Sequence, residues 1–78
     1  MHSNFITPPD FVETVLVLNA TEEQISQLNS AVKTSTKPYN VYFYNNAMND
    51  LRWLARVTNI ANQVIEADKN NPLEYFNK

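Results

Sequence analysis

Within Thr14-Val15-Leu16-Val17-Leu18 the four residues after Thr14 are all apolar, whichever side of the pleat they face. A strand with one wet face alternates apolar and polar residues, and this run does not. Apolar on both faces and rich in β-branched residues, it reads as a central strand of a parallel sheet. A lone strand is not stable, so neighbouring segments must pair with it and cover it.

The second strand is Tyr39-Asn40-Val41-Tyr42-Phe43-Tyr44, aromatic and β-branched, bounded by Lys37-Pro38 and Asn45-Asn46. It too is expected at the centre of the fold, with Val41 and Phe43 on one face and Tyr42 and Tyr44 on the other. A helix lies between the two strands. Thr21 and Gln24 have the spacing of a capping box. Glu22 and Glu23 put negative charge in the first turn, where the helix dipole favours it by about 0.3–1 kcal/mol. Ile25, Leu28 and Val32 form one apolar stripe, and Thr34 to Pro38 ends the helix. Strand, helix and strand with short connections make a βαβ unit with a right-handed crossover.

A second helix follows Asn45–Asp50, with Asn46 or Asn49 as the expected cap. Leu51, Leu54, Ala55 and Thr58 make one stripe, and Trp53, Val57 and Ile60 an adjacent one, leaving Arg52, Arg56 and Asn59 to solvent. So wide an apolar arc predicts packing on more than one side. Residues 60–68 admit two readings. The helical period continues through Ala61, Val64, Ile65 and Asp68, which would give a βαβα chain with one long C-terminal helix. Against this, Asn59 and Asn62 are poor interior helix residues, and Val64-Ile65 is β-branched. A strand over Gln63–Ala67 repeats the first unit, and the preferred fold is α/β, a βαβαβ domain of two or three layers with a short parallel sheet. Residues 1–78 form one domain. Residues 1–10 are expected as an extended arm anchored by Phe5 and Ile6. Residues 70–78 make a short terminal segment, with Pro72 opening one helical turn capped by Asn70 or Asn71.

With 78 residues, such a chain buries only about 60% of its unfolded surface. It has no cysteine, and His2 is its one histidine, so thiolate and multi-histidine metal sites are excluded. A net charge of −2 gives no electrostatic reason to bind nucleic acid or an anionic membrane. No apolar run approaches the roughly 20 residues that span a bilayer. The start of the chain lacks the basic and apolar regions of a signal peptide. The expected location is the cytoplasm. Glycine is absent, and the many asparagines are expected to take its left-handed turn positions.

Candidate chemistry is sparse. The loop after the first strand, Asn19-Ala20-Thr21-Glu22-Glu23, has no glycine to admit a phosphate and sets two carboxylates where the anion would sit. At about 4 Å and an effective dielectric near 20, like charges cost roughly 4 kcal/mol. No nucleotide or other cofactor is expected. Asp50, Glu66 and Asp68 could meet at the carboxyl edge of the sheet and hold a divalent cation, as in a small metal-assisted hydrolase. The simpler reading makes Asp50 a helix cap and leaves the other two solvated. Arg52 and Arg56 make a small basic patch, with a solvated helix face as the simpler reading.

Cover for the sheet decides most. With strand order 1-2-3 both helices fall on one face, and the other needs a partner; order 2-1-3 puts one helix on each face. Phe5, Tyr42, Tyr44, Tyr75 and Phe76 are the expected surface aromatics and partner-binding residues, with a self-contained aromatic core as the alternative. The stretch Asn45 to Asn71, with the strand Val41–Tyr44 ending in Asn-Asn, then Asp50-Leu51-Arg52-Trp53-Leu54, then Ala61-Asn62-Gln63-Val64-Ile65-Glu66-Ala67-Asp68, resembles the very small α/β accessory proteins encoded by tailed bacteriophages. That resemblance implies a non-enzymatic protein that binds and redirects a host or phage protein in the host cytoplasm. It carries over no functional residue. The expectation is a protein–protein interaction module, such as an inhibitor, modulator or assembly subunit, with a protein partner or its own copies.

Overall fold

The computed structural model describes residues 12–77. Strand β1 (Glu13–Leu18) leads into helix α1 (Glu22–Thr34), β2 (Tyr39–Tyr44), a single 3₁₀ turn (Asn46–Met48), α2 (Leu51–Ile60), β3 (Gln63–Glu66) and the short α3 (Leu73–Phe76). The strands form one parallel sheet in the order β2-β1-β3. The domain is therefore the βαβαβ form with a third helix appended, and 63–66 is a strand.

The strand order follows from the apolar run. Val15, Leu16 and Val17 have no exposed surface, which only the middle strand of three can achieve. The chain leaves β1 toward β2 on one side, then crosses back to β3 on the other. Two right-handed crossovers in opposite directions put α1 and α2 on opposite faces. Val15, Val17, Leu28, Ile65, Ala67 and Phe76 form the core beneath α1 and α3. Leu16, Tyr44 and Val57, with Trp53 and Leu54 against them, form the core beneath α2. The parity of β1 thus sorts its side chains into two separate cores.

Tyr39–Tyr44 is an edge strand, not a central one. Among the described residues it pairs with β1 alone, in continuous register from Glu13 opposite Tyr39 to Leu18 opposite Tyr44. No sheet face is left bare, because each helix covers one.

Local chemistry fixes the ends. Thr21 and Gln24 form the full capping box at 3.1 and 2.9 Å. The cap of α2 is Asp50, whose carboxylate accepts from the Trp53 amide at 3.1 Å, rather than Asn46 or Asn49. Asn45 instead caps the 3₁₀ turn, and Asn49 takes the left-handed conformation (φ 48°) that reverses the chain before α2. Asn19 does the same after β1 (φ 58°). A β-carbon disfavours this region and asparagine tolerates it best after glycine, so asparagine serves where glycine is missing. Asn62 ties β3 to β1: its amide donates to the Thr14 carbonyl (2.8 Å) and its side-chain oxygen accepts from the Thr14 amide (2.9 Å). The terminal turn opens at Pro72, with the Asn71 side chain accepting from the Leu73 amide at 3.1 Å.

Helix α2 packs on one side only, where the sequence predicts more. Trp53, Leu54 and Val57 face the sheet, while Leu51 is 69% and Ile60 58% exposed. At about 100° per residue, Leu51 and Ile60 fall on opposite flanks of the helix, in its first and last turns. A three-stranded sheet is too narrow to reach both.

This packing predicts a contrast between two leucines. Leu16→Ala removes a fully buried side chain and should cost about 2–5 kcal/mol in urea unfolding. Leu51→Ala should cost less than about 0.5 kcal/mol. Equal losses would mean that α2 presents a different face to the sheet.

Candidate functional site

The sequence-predicted partner residues fall into two aromatic groups on opposite faces, and Phe5 lies outside the described residues. On the α2 face, Tyr44 stacks on Trp53 (5.9 Å, 17°) and Tyr42 meets the same indole edge-on (6.1 Å, 75°). On the α1 face, Phe76 packs edge-on against Tyr39 (4.8 Å) and Tyr75 (5.3 Å). Tyr44 is only 3% exposed and Phe76 7%, so neither is a surface aromatic; Tyr42 and Tyr75 are half-buried. The pairs have the edge-to-face and offset geometry that the ring quadrupoles favour. The aromatics hold the layers together.

Tyr44 has a second task. Its hydroxyl accepts a hydrogen bond from the Asp50 amide at 3.0 Å, joining the end of β2 to the cap of α2. Tyr44→Phe should lower stability by about 1 kcal/mol in thermal or urea unfolding and speed amide exchange in the first turn of α2. Unchanged stability and exchange would remove the hydroxyl from the account.

The charged candidates are dispersed. Asp50 is occupied as a cap. Glu66 pairs with Lys69 at 3.2 Å, and Asp68 is exposed. Among the described residues, no three His, Cys, Asp or Glu come together to hold a metal ion. Arg52 and Arg56 are exposed on the outer side of α2. The shortest ion pair joins Lys37 to Glu13 at 2.8 Å, with the ammonium also 5.5 Å from the Tyr39 ring centre. Hydrogen bonding to the Glu13 carboxylate, reinforced by its charge, raises the Lys37 pKa above the ordinary lysine value. This pair satisfies a buried carboxylate at the base of the sheet.

Two clefts of about 270 Å³ open on the surface. One lies at the base of β2 between Ser35–Lys37 and the Tyr39, Tyr75 and Phe76 rings. The other runs beside β3, between Val64 and Glu74. The first sets the Ser35 and Thr36 hydroxyls beside Lys37, whose ion pair with Glu13 holds it protonated and unsuited to act as a base; neither cleft is lined by a pair of carboxylates.

What the surface does offer is backbone. Glu13 donates to the Pro38 carbonyl (3.4 Å) and Asn19 to the Tyr44 carbonyl (2.7 Å). With Glu13 opposite Tyr39 and Leu18 opposite Tyr44, the ladder to β1 therefore uses the amides and carbonyls of Asn40, Tyr42 and Tyr44. Those of Tyr39, Val41 and Phe43 point away from the sheet. Within Tyr39–Tyr44 β2 has no charge, proline or bulge, and Lys37 and Pro38 flank only its start, with the Lys37 ammonium over the Tyr39 ring. β3 is guarded: it has four residues, ends on a charge, and its Glu66 carbonyl accepts from the Lys69 and Asn70 amides. Sequence reasoning missed this site by placing β2 at the centre. The signal was present in an uncharged strand that, unlike β1, carries polar atoms on its Tyr42 and Tyr44 face.

Compared with protein families, curated proteins and solved structures, the chain matches none.

Proposed function

We infer that the protein is a non-enzymatic protein–protein interaction module that docks through the free edge of β2. The observation that carries this reading is the row of amides and carbonyls at Tyr39, Val41 and Phe43, which point away from β1 and have no backbone partner among the described residues. Adding a strand to such an edge gives affinity through main-chain hydrogen bonds and specificity through the side chains flanking them. Among the described residues, no helix is long and apolar enough to cross a membrane. The resemblance to phage accessory proteins adds a role as inhibitor, modulator or assembly subunit in the cytoplasm. The dispersal of Asp50, Glu66 and Asp68 gives the metal-assisted hydrolase no support.

Val41→Pro tests the reading. Proline at this position removes an outward amide and leaves the β1 ladder intact. Affinity capture from the native cell with the wild-type chain should retain a partner that folded Val41→Pro loses. Equal capture by both, or none by either, contradicts docking at this edge.

A further inference from the structure

We propose that the β2 edge pairs with the same edge of a second copy of this chain, joining two three-stranded sheets into one of six strands. This rests on the docking role of β2 and names its partner.

The outward residues Tyr39, Val41 and Phe43 are spaced evenly about Val41. A two-fold axis through Val41 sets the two strands antiparallel. Tyr39 then faces Phe43 of the second copy, Val41 faces itself, and Phe43 faces Tyr39. Every outward residue meets an outward residue, and each pair exchanges two hydrogen bonds. A register shifted by one residue would bring outward groups against inward ones. The strand carries no charge, so no like charges meet across the seam.

A strand edge alone is small against the roughly 1,200 Å² that a specific interface buries. Helix α1 supplies the rest. Its Gln24 side chain donates to the Ala67 carbonyl (3.4 Å), just past β3, and α3 packs beside it. At about 100° per residue, Glu22, Asn29 and Lys33 lie on the opposite flank from Gln24, toward β2, and all three are exposed. Glu22 stands in the first turn of α1, near the carboxyl ends of the strands; Lys33 stands in the last turn, near their amino ends. The axis through Val41 runs the two α1 helices antiparallel and brings Glu22 of each copy toward Lys33 of the other. This charge arrangement favours a second copy over an unrelated strand. On the other face α2 contacts β1 and its Trp53 reaches over Tyr42 and Tyr44 of β2, which places Arg56 on the flank of α2 nearer the seam.

Light scattering after size exclusion, over a dilution series, should show a mass moving from twice 9.0 kDa toward 9.0 kDa. Amide exchange read by NMR at high and low concentration gives the residue-level test. The Asn40, Tyr42 and Tyr44 amides should stay protected throughout. The Tyr39, Val41 and Phe43 amides should be protected only in the dimer. Glu22→Lys should weaken dimerisation by about tenfold, since the axis repeats the repulsion. Adding Lys33→Glu should restore it. Both positions are exposed, so thermal melts of dilute protein report folding separately. A monomer at every concentration, fast exchange at the three outward amides, or no rescue by the double exchange would overturn the proposal. If the chain is monomeric but Val41→Pro still abolishes capture of another protein, the second copy is wrong and the docking edge stands. If capture is also indifferent to Val41→Pro, both fail.

Discussion

Everything in this structure follows from a strand that is apolar on both faces. Val15, Leu16 and Val17 cannot be removed from water by one layer of cover. They need a strand on each side and a helix above and below. The chain supplies these with two crossovers that diverge from β1 rather than march past it. The result is two small cores back to back, one anchored on Leu28 and one on Val57. Neither is large, and a chain of 78 residues has little burial to spare. The close aromatic contacts of Trp53 with Tyr42 and Tyr44, and of Phe76 with Tyr39, bridge elements that apolar area alone would hold weakly.

Placing β1 in the middle forces β2 to an edge, and this has a functional consequence. The rings of β2 are largely covered by Trp53 on one face and by α1 and α3 on the other. What it presents outward is main chain. Recognition by main-chain pairing makes modest demands on partner sequence and strong demands on partner geometry. An uncharged aromatic edge of this kind is also a liability for uncontrolled pairing, so a chain that keeps one has a physical reason to cover it.

Much of the fold was legible in local chemistry. Thr21 with Gln24, the Leu28 stripe and the two strands are set by near neighbours in sequence, and all appear where the residues place them. The exchange of asparagine for glycine was equally readable, at Asn19 and Asn49. Strand order was not, because it depends on which crossover turns back, a choice made by packing between distant segments. That one non-local choice moved β2 from centre to edge, and of the two readings of the aromatics Tyr44 and Phe76 take the core one. The cap of α2 was read two ways, as Asn46 or Asn49 and, in the simpler reading of the acidic residues, as Asp50; the structure has Asp50, whose amide also donates to the Tyr44 hydroxyl. The exposure of Leu51 and Ile60 could not be read from periodicity, which gives a helix its faces and not the width of the sheet beneath.

The fold rests on β1 having a partner on each side from Thr14 to Leu18. Native-state amide exchange across Glu13–Asn19 tests it most directly. In the order β2-β1-β3, the odd-numbered amides of this stretch donate to β2, while the even-numbered ones donate to β3 or to the Asn62 side chain. All seven should therefore be protected, those of Val15 to Leu18 to near the global unfolding limit. Protection at alternate residues only would place β1 at an edge and contradict the account.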